Sequence, residues 1–326
     1  MRKGYYEDIT TFFVKHAFHT RFFLSRLTKK SKIAKKIIDK LLFEDDEIYV
    51  IPNNNFVANK TRPKEVKNNK TEPKNKSNKS NKSNKSNKSN KNSIKNKSQD
   101  IINTNIEINQ SFTKNESEFL PVELLKMVIK EAKDIVIMNQ CLCRVSSDCQ
   151  DYPQDLGCIF LGPATKKISP KYGRKASVEE ALKHVDWAEA EGLSHVIGRN
   201  KIDTVWMNVG PKEQLLTICH CCPCCCLWKV APDLHEDISD KLIKLEGVNL
   251  KIDNDKCVLC KKCLKDDVCF GGAISIKNNQ IKIDENKCVG CGHCTKVCKS
   301  EAITLEYNEK SMQYILNRIN NLVDYK

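Results

Sequence analysis

The chain has 326 residues, a formal net charge of +14 and 18 cysteines, the first at Cys141 and the last at Cys298. Between Lys60 and Gln99 fourteen Lys or Arg stand against two Glu, so this one stretch carries +12 of the net charge. The remainder is nearly neutral, which argues against nucleic acid as the partner of the folded part. The opening MRKGYYEDITTFF lacks the apolar core of a secretory signal, so the thiols are expected in a reducing cytoplasm, in an anaerobic cell, and at metal sites instead of disulfides.

Residues 1–51 form a cysteine-free segment. Ile9, Phe12, Phe13, Ala17, Phe22, Phe23 and Leu27 recur at spacings of three to four, and Ile33, Ile37, Ile38, Leu41 and Leu42 repeat the pattern, predicting two helices. Glu47 to Ile51 predicts a short strand that Pro52 ends. Basic residues beside the Phe-rich helix suit a peripheral membrane contact, although pairing of the Phe side with the rest of the chain or with a partner is favoured. No stretch reaches the roughly 18 uncharged apolar residues of a transmembrane helix. Residues 52–116 are dominated by Lys, Asn and Ser, with five tandem Lys-Ser-Asn triplets from Lys76 to Asn90. Such a composition cannot offset the entropy of ordering and predicts a disordered linker.

Order returns near Phe119. Pro121 opens a helix with Val122, Leu125, Val128 and Ile129 on its apolar side. Asp134 to Met138 predicts a buried strand leading into Cys141. Ser177-Val-Glu-Glu180 is a capping box, and the helix it opens ends near Gly192. Leu215 to Ile218 leads into a second cysteine group. After the last cysteine, Met312, Ile315, Leu316, Ile319 and Leu322 predict a terminal amphipathic helix within residues 308–326.

Eight cysteines fall in two runs. The first is Cys257-x-x-Cys260-x-x-Cys263-x5-Cys269, and the second is Cys288-x-x-Cys291-x-x-Cys294-x3-Cys298. Each run is led in and out by a short apolar alternation, so residues 246–307 hold two copies of one unit. A tight loop of three cysteines turns three thiolates toward one point, and the fourth must come from elsewhere. Zinc prefers two separated pairs per ion, so triplets with a remote fourth favour iron–sulfur cubes. These motifs resemble a bacterial-type dicluster ferredoxin. The resemblance implies two [4Fe–4S] clusters, one on Cys257, Cys260, Cys263 and Cys298 and the other on Cys288, Cys291, Cys294 and Cys269, because each run's fourth cysteine serves the other cluster. Two departures stand out: Phe270 and Lys299 follow the fourth cysteines where Pro is usual, and Lys265-Asp-Asp267 lengthens the first run. His293 is expected in an exposed loop.

Ten cysteines lie upstream in residues 117–245: Cys141, Cys143, Cys149 and Cys158, then Cys219, Cys221, Cys222, Cys224, Cys225 and Cys226. Cys-x-Cys-Arg144, Gly157-Cys-Ile-Phe-Leu-Gly162, Gly192-Leu-Ser-His195 and the Cys-rich run resemble the domain that precedes a ferredoxin repeat in uncharacterised iron–sulfur proteins of anaerobic archaea and bacteria. Six thiols within eight residues repel one another once ionised, and a soft cation or oxidation relieves that. A further Fe–S cluster is the preferred reading. A zinc or mixed site and a disulfide-forming thiol patch are the alternatives. A salt-bridged Arg144 and a core His195 are the plainer readings of those two residues.

The expected fold class is α+β: a ferredoxin-type pseudo-twofold dicluster domain and an upstream α/β Cys-rich module, joined by the linker to a small N-terminal helical segment. The expected function is electron transfer between redox partner proteins. The alternatives are a redox enzyme subunit with residues 141–226 as its catalytic centre, and an Fe–S redox-sensing regulator.

Overall fold

The run Ile135 to Met138 places four apolar residues in succession, which only a strand covered on both faces can bury. In the computed structural model all four are buried inside a seven-stranded sheet. The structure describes residues 18–58, 120–265, 267–308 and 312–326. The expectations for Ile9 to Ala17, for linker residues 59–116 and for Phe119 lie outside these.

The sheet strands are β1 (Glu47–Ile51), β2 (Ile135–Met138), β3 (Ile159–Leu161), β4 (Gly173–Lys175), β5 (Ser194–Arg199), β6 (Leu216–Cys221) and β7 (Leu242–Lys244). Their order is β4-β2-β3-β6-β5-β1-β7. Every neighbouring pair is antiparallel except β1 with β7. The helices are α1 (Arg21–Lys30), α2 (Lys32–Ile38), α3 (Glu123–Glu131), α4 (Leu142–Ser146), α5 (Val178–Ala190), α6 (Lys201–Met207), α7 (His293–Val297) and α8 (Met312–Leu322). Ser177 caps α5 with the reciprocal Glu180 bonds of a capping box, and Gly192 beyond its end takes a φ of 70°.

Strand alternation gives the sheet two different faces. Ile197 of β5 and Leu216 and Ile218 of β6 share a core with Val128 of α3, Val185 of α5 and Ile319 of α8. Val50, Val196 and Cys221 point the other way, into a core with Phe43 and Trp228. Over this second face α1 lies along the turn Leu227–Asp233, tied by Arg26 to Asp233 at 3.2 Å and by the His235 amide donating to Thr28 Oγ1 at 2.9 Å.

The C-terminal part adds β8 (Val248–Ile252), β9 (Ile274–Lys277), β10 (Gln280–Ile283) and β11 (Ile303–Tyr307). β8 pairs with β11 and β9 with β10, both antiparallel. Each two-stranded sheet therefore takes one strand from either cysteine copy. The core of the first sheet face continues through Leu250, Ile281, Ile303 and Leu305, so the described residues pack as one unit.

Two expectations change. The strand Glu47–Ile51 does not belong to a segment apart: β1 sits between β5 and β7, and Arg318 of α8 grips its Glu47 through two bonds of 2.7 and 2.6 Å. The linker does not begin at residue 52. Asn53 is fully buried, donating to the carbonyls of Glu189 and Leu193 at 3.0 and 2.9 Å, and Phe56, three residues further on, is buried too. Polar composition hid this, because a buried Asn that satisfies backbone groups looks identical in sequence to a solvated one. Finally, the overall α+β class holds, and the sheet of the upstream α/β module is predominantly antiparallel.

Candidate metal centres

The two C-terminal cysteine loops turn by the same backbone device. In the second, Gly290 and Gly292 take positive φ values of 70° and 80°; in the first, Leu259 and Lys261 do so at the equivalent positions, with φ of 49° and 59°. At Gly292 a Cβ would come within 2.8 Å of the Phe56 ring, so glycine is also required there by close packing. These left-handed residues curl each loop so that its cysteines converge.

Burial raises the Cys263 thiol to about 11, with Cys298, Cys257 and Cys260 adding their repulsion. Cys291 is likewise held up by burial and then by Cys269 and Cys288, and those three line one small cavity with Cys294. Cys257, Cys260 and Cys298 thus lie near enough to Cys263 to act on it, and Cys269, Cys288, Cys291 and Cys294 share one small cavity. Cys269 Sγ accepts the Ala273 amide at 3.3 Å. Burial together with like charge keeps such thiols protonated unless a cation takes the proton's place, which is the chemistry of a metal–thiolate site. Phe270 fills the place of the usual Pro and is 1 % exposed, packed into the core of the second sheet face.

His293, expected in an exposed loop, is buried. Its Nε2 lies 2.9 Å from Ser194 Oγ and 3.3 Å from the Cys221 carbonyl, and its ring meets Phe56 with centroids 5.5 Å apart. Burial lowers its pKa to about 4, so the ring is neutral. The loop carrying it packs directly on the upstream sheet, a contact that no local pattern encodes.

Upstream, Cys219-His220-Cys221 runs along β6, and the period of two sends both thiols to one sheet face and His220 to the other. Cys158 pairs across from Cys219 with their sulfurs 2.9 Å apart. After β6 the chain turns at Cys222 to Cys226. The Sγ atoms of Cys149, Cys222, Cys224 and Cys225 all lie within 4.8 Å of one another, with Cys149–Cys224 at 3.7 Å and Cys224–Cys225 at 3.5 Å. A metal–sulfur distance of about 2.3 Å makes a tetrahedral edge of about 3.8 Å. Four thiols at this spacing fit one tetrahedral ion.

The other six upstream cysteines, Cys141, Cys143, Cys158, Cys219, Cys221 and Cys226, line a cavity of about 410 Å³ on the opposite sheet face from α5, and Cys222 of the four-thiol group borders it as well. Arg144, expected in a salt bridge, has no carboxylate partner. It is fully buried, donates to the carbonyls of His220 at 2.9 Å and of Leu156, and leaves Nε without a partner. Burial works against its charge, but Cys141, Cys222 and Cys158 hold it cationic. His195 is a core histidine, as expected. It also links Glu189, 2.8 Å from its Nε2, to His220, 2.8 Å from its Nδ1. Sequence reasoning missed this Glu189–His195–His220 chain; only β5–β6 register places the two imidazoles side by side.

A family model for a 4Fe–4S binding domain matches residues 280–303. The match spans β10, the loop of Cys288, Cys291 and Cys294, the fourth cysteine Cys298 and the first residue of β11. No curated protein and no solved structure matches the chain. Together with the thiol clusters the match defines an iron–sulfur protein with a ferredoxin-type Fe–S domain near its C-terminal end. No helix of the described residues is long and apolar enough to cross a membrane.

Proposed function

We propose that this protein transfers electrons through two [4Fe–4S] clusters, one on Cys257, Cys260, Cys263 and Cys298, the other on Cys288, Cys291, Cys294 and Cys269. The observation that carries this reading is the small cavity that Cys269 of the first run lines together with Cys288, Cys291 and Cys294 of the second, and it is supported by the repulsion that Cys298 of the second run exerts on Cys263 of the first. The shared left-handed positions and the exchanged strands support a pseudo-twofold pair of sites. Each cluster supplies a one-electron couple when bound. The chain ligates it, excludes water with Val268 and Phe270, and donates a backbone N–H to Cys269 sulfur, all of which set the potential.

Contacts support a path for transfer. Cys294 feels both its own set and Cys263 of the other, so the two sites adjoin. His293, next to Cys294, reaches the Cys221 carbonyl, which supports a path into the upstream module. There Cys149, Cys222, Cys224 and Cys225 hold a single tetrahedral zinc or iron ion. The test is metal and acid-labile sulfide per chain after anaerobic purification, with EPR of the reduced protein. About eight irons with matching sulfide in the ferredoxin part are expected. Material free of sulfide would refute the reading.

A further inference from the structure

We infer that this upstream cavity is a second upstream metal site, holding a polynuclear metal–sulfide cluster on Cys141, Cys143, Cys158, Cys219, Cys221 and Cys226. The inference goes beyond the electron-transfer reading of the downstream cysteines.

Three elements deliver these thiols to one sheet face. Cys158, Cys219 and Cys221 come from the sheet by strand alternation, Cys141 and Cys143 from the start of α4, and Cys226 from the turn after β6. They are close enough to act on one another: Cys141 on Cys143, Cys226 on Cys221, and Cys158 on Cys141, Cys143 and Cys221. Among the described residues, only the Cys149 group has four thiols mutually within the span of one ion. The six are spread around a volume instead, which is the placement that several metals bridged by sulfide require. At about 410 Å³ the cavity is far roomier than a site for one ion or a few waters.

Charge points the same way. Arg144 is fully buried with an unpartnered Nε, and the buried Nε of Arg21, another wall residue, also lacks a partner. Both guanidiniums face the thiols of a cavity walled also by Phe43, Phe160, Trp228 and the Asp203 carboxyl, so thiols that ionise there need a further cation beside them. Thiolates select soft cations, and a metal–sulfide core supplies that charge. The unpartnered N–H groups are then donors to its sulfur atoms. Separation from the Cys149 group is only one residue at Cys221–Cys222, so the two upstream sites are neighbours with different ligand sets.

The test is native mass spectrometry of the full chain, purified without oxygen, alongside Cys158→Ser/Cys219→Ser and Cys291→Ser. The double variant is expected to lose on the order of four or more irons with their sulfide, while the EPR signals of the ferredoxin cubes stay unchanged. Cys291→Ser reports on the ferredoxin reading alone and leaves the cavity block in place. A double variant with unaltered metal and sulfide overturns the inference. Should that variant not fold, the wild-type mass decides. A value above two cubes and one ion supports the cavity cluster, and one fully accounted for by them overturns it.

Discussion

The eight downstream cysteines and the ten upstream ones show two ways of bringing thiols together. Downstream, the ligand triplets are consecutive in sequence, and two left-handed residues per loop are enough to converge them. Upstream, no site is local. Cys158 meets Cys219 through strand pairing, and Cys149 meets Cys224 at 3.7 Å although 75 residues separate them. The lesson is that spacing identifies a site when one loop builds it, whereas a site built on a sheet is identified by which face each residue takes.

The comparison is broken most severely by removing ligands. Cys291→Ser is expected to abolish one cube, with iron and sulfide each falling by about four per chain. By contrast, Cys224→Ser is expected to remove one metal ion and no sulfide. Elemental analysis of both variants distinguishes them, and sulfide loss from Cys224→Ser would erase the proposed difference between the regions.

Arg144→Met leaves the upstream thiolates without their buried counter-charge. A destabilisation of about 3–5 kcal/mol is expected, read as a fall in the unfolding midpoint. An exposed, dispensable arginine would show almost none.

Asp46 tests the unanticipated seat of the N-terminal strand. Burial raises its carboxyl to about 7, partly offset by the Lys201 amide donating to it at 2.7 Å. Because the folded state holds the proton more tightly than the unfolded state, stability is greatest below the ordinary carboxylate range. It falls as pH rises from about 4 to about 7, by at most about 4 kcal/mol. Asp46→Asn is expected to flatten that fall, measured by unfolding between pH 5.5 and 8.

The smallest effect sharpens the likeness of the two loops. Lys261 adopts the conformation that Gly292 adopts in the second loop, at a cost of about 1–2 kcal/mol for a residue with a Cβ. Lys261→Gly is expected to recover about 1 kcal/mol of stability without changing metal content.

The sequence by itself determined the downstream ligand triplets, the strand at Glu47–Ile51, the capped helix at Ser177 and the amphipathic face of residues 312–322. Each is encoded by neighbours a few residues apart, where helical or strand period and loop geometry act directly. Tertiary structure alone decided the rest. It buried His293 against Ser194, made Asn53 and Asp46 interior groups, left Arg144 without a carboxylate among the described residues, and gathered the ten upstream thiols into a group of four and an adjoining cavity that shares Cys222 with it. These outcomes depend on sheet order and on which face meets which, and long-range packing, not local pattern, carries that information.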